Sequence, residues 1–442
     1  MSQPISVQDK IMKTKYFLIS CLSVAMMFFA SCSDSEDNEE PGAGGSNTNV
    51  PAMSASDAKQ SLQSTANDLL AKIKVSEFED FKKIFEEVDK FDFEKDNVVA
   101  NWFEAAKGEC LISSKKDYKK YLWQAANFVG EFNLNDNGVW VNTKKGGDKL
   151  VFTFKDADGK PCVLTLIASK DGAKIHHSVF DDKEWNWSYE NGNYQEYETV
   201  TQENRFILPK QTKITLTQNG KTVISVTVNA AVSTGAEVDL SKDAIDVTTE
   251  AIVNDYKVVV SKASYRAGKT AEAKATISKG GETLITVSGN AAGNITSDGE
   301  NSSVNKATIS VDILNRAKFV TVIDDVDLLN ENLERADDCY SDKSRMDKYL
   351  ANANKLIHAD LYLDNSANSS ASLFFKSVSD NDYYAQYWTY EWVMKFADDS
   401  EYSVDSYFNE KSFKTVVNTV EGIIDDFCSM FGIDEDDNGY YY

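Results

Sequence analysis

The chain has 442 residues, of which 42% are hydrophobic, 11% aromatic and 26% charged, with only five prolines. This length accommodates two or three structural units, and the composition excludes a collagen-like rod, a proline-rich stalk and global disorder. Seventy acidic against 46 basic side chains give a net charge of −24, which sets long-range electrostatics against nucleic acid and anionic bilayer head groups as partners.

Residues 1–11 carry no signal character, so Met12 is the expected start. Lys13 and Lys15 precede Tyr16 to Phe29, a 14-residue mostly apolar run, too short for a span of about 20 residues and shaped like an export signal. The run ends in Phe29-Ala30-Ser31-Cys32. This ending resembles the lipobox of bacterial lipoproteins, with Phe29 where leucine is usual. The resemblance implies that residues 1–31 are removed and that Cys32 becomes the diacylated first residue. Residues 32–53 are acidic, then glycine-rich, and lack the apolar side chains that would order them. They form a tether of about 20 residues with a reach of about 25 Å. Its acidic run, Ser33 to Glu40, resembles the surface-export signal of Bacteroidetes lipoproteins, which implies an outer-membrane anchor with the body facing the medium.

Residues 54–135 show helical spacing, as in Leu62, Leu69, Leu70 and Ile73, then Phe78, Phe81, Phe85 and Val88. The same spacing in Tyr118, Tyr121, Leu122, Ala125, Phe128, Val129 and Phe132 extends the predicted helices beyond Gly108. Residues 136–325 alternate with period two and predict antiparallel β-hairpins. Lys213–Ala230 and Lys274–Ala291 align at an offset of 61 residues, each around a turn signal, Asn219-Gly220 or Gly280-Gly281. Lys149–Ala168 is a looser third copy. Helical spacing returns as a hairpin over 326–358. Strands follow from residue 359, then an amphipathic helix with Phe413, Val416, Val417, Val420, Ile424, Phe427 and Phe431, which closes the 359–432 segment before an acidic tail, 433–442. The expected fold is therefore α+β: a long twisted antiparallel sheet of repeated hairpins, N-terminal helices, and C-terminal helices packed on one face. The pattern resembles the half-barrels of lipoprotein carriers. Phe396 to Ile424 is similar to the ends of uncharacterised Bacteroidetes lipoproteins, a likeness that implies no particular activity.

Few residues suggest catalysis. Of three histidines, His176 and His177 are adjacent and would point to opposite strand faces, and His358 is isolated. There is no HExxH, zinc-spaced cysteine pair or GxSxG elbow. Gly268-Lys269-Thr270 and Gly220-Lys221-Thr222 lack the first glycine of a phosphate loop, with Ala263 and Thr215 in its place, and read as turns. Cys110, Cys162, Cys339 and Cys428 read as buried free thiols, with disulfides the alternative in an oxidising envelope. Asp434, Asp436 and Asn438 match the start of a calcium loop whose last ligand would lie beyond Tyr442, so a solvated tail is the expected reading.

Two aromatic-rich segments remain. Trp388, Tyr390, Trp392, Met394 and Phe396 share a strand face suited to packing under a helix. Trp185, Trp187 and Tyr189 alternate among acids and amides, as a sugar-stacking platform requires, although packing is the commoner use of such stripes. The expectation is a non-enzymatic surface lipoprotein without cofactor, held to the membrane by its lipid anchor and binding an extracellular ligand such as a glycan. The alternatives are a carrier enclosing a lipid or other apolar ligand between sheet and helices, and a structural or adhesive envelope component.

Overall fold

A computed structural model describes residues 53–408, apart from short stretches at 89, 92–96, 116–117, 178–183, 191–192, 200–201, 234–236, 240, 296–302 and 382–385. The export signal, Cys32, Cys428, the 413–431 helix and the tail acids Asp434, Asp436 and Asn438 lie outside the described residues. The fold is α+β, dominated by sheet. Contacts divide the chain into one unit of Met1–Lys82 with Asp255–Tyr442 and a second of Lys83–Asn254.

Helix α1 (Ala55–Lys72) starts at Ser54, whose hydroxyl accepts from the Asp57 N–H at 3.2 Å and satisfies one orphan donor of the first turn. A 3₁₀ turn (Val75–Phe78), α2 (Glu79–Val88) and α3 (Asn97–Cys110) follow.

Here the structure corrects the predicted 54–135 helical segment. From Leu111 the chain forms strands: β1 (Leu111–Lys115), β2 (Tyr118–Gln124) and β3 (Gly130–Leu134). Tyr, Leu and Trp suit strands as well as helices, and β2 is fixed by pairing in parallel with a strand about 80 residues later, which local spacing cannot reveal.

The second unit continues with β4 (Trp140–Lys145), β5 (Leu150–Lys155), β6 (Pro161–Ala168), β7 (Gly172–His177), β8 (Glu184–Glu190), β9 (Asn193–Thr199), β10 (Gln202–Pro209), β11 (Gln211–Gln218), β12 (Lys221–Val232), β13 (Glu237–Val238) and β14 (Ala244–Val253). Its larger sheet runs β14-β12-β11-β6-β5-β3-β4 and is antiparallel except where β3 meets β5. Its smaller sheet runs β1-β2-β10-β7-β13. Strands β8 and β9 form a separate two-stranded sheet.

The first unit resumes with β15 (Tyr256–Arg266), β16 (Thr270–Lys279), β17 (Glu282–Asn294), β18 (Ser303–Ile313) and β19 (Ala317–Ile323). A helical hairpin follows, α4 (Val326–Asp337) and α5 (Lys343–Leu356), capped by the carboxylates of Asp325 and Asp342. Then come β20 (Ile357–Leu363), β21 (Ala371–Asn381), β22 (Gln386–Lys395), β23 (Glu401–Ser403) and α6 (Val404–Phe408). Strands β15 to β23 pair in chain order as an antiparallel meander.

Helices cover one face of the last strands. Ile357, Ala359, Leu361 and Leu363 are buried at alternate positions of β20. Leu361 and Leu363 join Met394, Phe396, Tyr407 and the Ala55, Ala58 and Leu62 face of α1 in one core. Ile357 and Phe375 join Leu329, Met346 and Leu350 of the helical hairpin in another. Trp388, Tyr390 and Trp392 pack against that second core, as their shared strand face predicts. Helix α1 crosses the strand ends: Ser61 bonds Asp364 at 2.8 Å, Arg316 pairs with Asp68, and Lys72 pairs with Glu282 at 2.7 Å. Among the described residues, no helix is long and apolar enough to cross a membrane.

The repeat is visible in the backbone. Hairpins β11–β12 and β16–β17 turn at Asn219-Gly220 (φ 50° and 76°) and Gly280-Gly281 (φ 57° and 85°), the positive angles that a two-residue type I′ turn demands. Both carry a bulge at the same place, between Leu216 and Thr217 and between Ile277 and Ser278, again 61 residues apart. The looser copy is hairpin β5–β6.

Candidate functional site

The five-stranded sheet of the second unit has two chemically distinct faces. Its register places Tyr121 beside Asn204 and Trp123 beside Phe206, while Lys120 stands beside Glu203. Successive residues alternate between faces, so one face is aromatic and amide and the other is ionic.

On the ionic face, the Glu203 carboxylate accepts from the Tyr118 hydroxyl and pairs with Lys120 at 2.9 Å and Arg205 at 3.0 Å. Arg205 also reaches Glu237 at 2.8 Å. The hydrogen bonds from Tyr118 and Lys120 hold the Glu203 carboxyl below its ordinary pKa, and the same carboxylate raises that of the Tyr118 phenol. These groups lock β2 to β10 and leave the other face available.

The aromatic face is graded from buried to exposed. Tyr121 is buried, and the Trp123 ring stacks on it at 5.1 Å with 20° between planes. Trp123 is also near-parallel to Phe206 and to Phe128, each with centroids 6.4 Å away. Phe128 continues to Phe103 of α3 at 5.5 Å. Phe206 and Phe103 keep 36% and 44% of their surface in solvent, and nearby β1 exposes Leu111 and Ile112. The Trp123 orientation is pinned because its indole N–H donates to Asn204 Oδ1 at 2.8 Å, which also accepts from Gln202 Nε2 at 3.0 Å. Asn204 is buried, so both bonds are shielded from water. A contiguous, rigid aromatic surface of this kind marks a binding face.

Hairpin β8–β9 lies between β7 and β10 in the chain, and those two strands are paired neighbours. The expected platform positions Trp185, Trp187 and Tyr189 lie at alternate positions of β8, in register with Glu198, Glu196 and Tyr194 of β9. All six positions therefore belong to one hairpin face. Sequence reasoning identified this hairpin but placed Tyr121 and Phe128 in a helix and did not single out Trp123, Phe206 or Phe103. The alternation Lys119, Tyr121, Trp123 was the available strand signal.

Other features separate from this site. His176 and His177 fall at successive positions of β7, in register with Arg205 and Asn204. His358 Nε2 lies 3.2 Å from Asp324 at the surface. Gly220 and Gly268 occupy turns with positive φ. Cys110, Cys162 and Cys339 are buried free thiols. No group of three His, Cys, Asp or Glu side chains among the described residues is placed to hold a metal. A cavity of about 240 Å³ lies between β7, β10 and β12, bordered by Gly172, Ala173, Leu208 and Val232. It is smaller than the ~300–1,000 Å³ usual for a ligand pocket. No family model, curated protein or solved structure matches the chain.

Proposed function

We propose that this protein is a non-enzymatic lipoprotein, anchored to the outer membrane through acyl groups on Cys32, that binds an extracellular glycan on the aromatic surface of its second unit. The observation that carries this reading is the stack Tyr121–Trp123–Phe206, pinned by Asn204 and open to solvent at its Phe206 end. Flat apolar rings receive the C–H faces of sugars, and neighbouring amides and acids serve the hydroxyls. Trp185, Trp187 and Tyr189 on the adjoining hairpin extend the same chemistry. The small cavity gives no support to a carrier of acyl chains.

The test is a glycan panel titrated by calorimetry against the wild type, the Phe206→Ala variant and the Trp185→Ala/Trp187→Ala variant. Loss of binding by tenfold or more at unchanged Tm is the expected result. Binding that survives in both variants, or unfolding of the Trp185→Ala/Trp187→Ala variant, would sink the platform reading.

A further inference from the structure

We infer that the ligand of the β8–β9 hairpin is a glycan carrying free, protonated amino groups; this deepens the proposed function and rests on it. The inference comes from register. Trp185 stands opposite Glu198 and Trp187 opposite Glu196, with Tyr189 opposite Tyr194. Cross-strand partners share a face at about 4.5–5.5 Å between Cβ positions, so this face alternates aromatic and carboxylate positions across the two strands. A neutral sugar needs the aromatic positions and some hydrogen-bonding groups, which amides would supply without charge. Asn186, Ser188, Asn193 and Gln195 belong to the other face. The aromatic face instead combines the two groups that attract an ammonium: a ring quadrupole and an anion.

The repeat supports specialisation of this hairpin. The copy that begins with β5–β6 is followed by β8–β9, as β16–β17 is followed by β18–β19. Strands β18 and β19 are built into the meander, whereas β8 and β9 pair only with each other. Two strands alone are marginal as a structural element, so the aromatic and acidic residues concentrated on them call for a role beyond sheet building.

The experiment uses the mature chain from residue 32, released from the membrane by Cys32→Ser, and titrates it with glucosamine oligomers and with N-acetylglucosamine oligomers of equal length. The expected result is at least tenfold tighter binding of the free amines. That preference should disappear in the Glu196→Gln/Glu198→Gln variant at unchanged Tm, and binding should weaken with salt. The double substitution alters a net charge of −24 by only two, so a preference that survives it is bulk attraction and overturns the inference. Equal or tighter binding of the acetylated oligomers overturns it while leaving glycan binding intact. If neither oligomer binds but another glycan does, the inference fails alone. If no glycan binds, the proposed function fails with it.

Discussion

Single side chains fix the hairpin ends and set much of the pH response. Asp156 is buried at the β5–β6 turn, where one oxygen accepts from the N–H groups of Asp158 and Lys160 at 3.0 and 2.8 Å, and the other from Gln218 Nε2 at 2.5 Å. Asp156→Ala leaves those donors unmet and should destabilise the second unit by about 2–4 kcal/mol in urea unfolding. Lys155→Ala, which breaks only an exposed pair with Asp136, should change it by less than about 1 kcal/mol. Cys162 lies behind the same turn, and burial, with the Asp156 charge adding to it, pushes its thiol up to about 11. At pH 8 it should resist alkylation for hours in the native protein and react within minutes in urea, read by mass spectrometry. Glu77 behaves in the opposite sense. It accepts from Lys279 at 2.6 Å and from Tyr256 at 2.9 Å, and the Lys279 hydrogen bond above all lowers its pKa. A lowered folded-state pKa gives stability that is complete above the unfolded carboxylate value of about 4.3 and is lost as pH falls through the folded one. Glu77→Gln should therefore flatten the first unit's acid limb below about pH 4.3, in urea midpoints measured from pH 7 to pH 3.

At the scale of elements, close backbone approach is as decisive as side-chain chemistry. Gly172 opens β7 where it meets the end of β10, and a Cβ there would lie 1.9 Å from the Leu208 carbonyl oxygen. Gly172→Ala should separate these strands. Because β7 and β10 flank the platform hairpin in the chain, the variant should lose glycan affinity as well as stability. Retained wild-type unfolding and binding would show that the backbone absorbs the methyl group. Elements defined by local signals were legible in the sequence. The paired turns at Asn219-Gly220 and Gly280-Gly281, the 326–358 hairpin and the Trp388–Phe396 face all follow from patterns within some 20 residues. What stayed hidden depends on distant partners. Tyr118 to Phe132 satisfies helical spacing, and only the parallel alignment of β2 with β10 turns Tyr121 and Trp123 into a strand face. The candidate site was thus half visible: its hairpin through alternation, its stacked base not at all.

At the scale of the molecule, the proposed anchor and the charge of the body act in opposite directions. A net charge of −24 is repelled by anionic head groups, so the body contributes no electrostatic adhesion to the bilayer. Attachment then rests on the acyl chains of Cys32, and two chains suffice for stable anchoring where one does not. Two outcomes follow for membrane fractions of the producing cell. Washing with 1 M salt should leave the protein in the pellet, because screening removes repulsion rather than attraction. Cys32→Ser should move it to the soluble fraction at any ionic strength. A tether of about 20 residues reaches only about 25 Å, yet that separates the body from the bilayer surface enough for a protease to cut it. Added protease should therefore release the wild-type body from intact cells if the anchor lies in the outer leaflet. Persistence of the Cys32→Ser protein in the pellet would refute the lipid anchor. Protection of the wild type until the envelope is broken would place the aromatic surface inside the cell envelope, where an extracellular glycan cannot be its ligand.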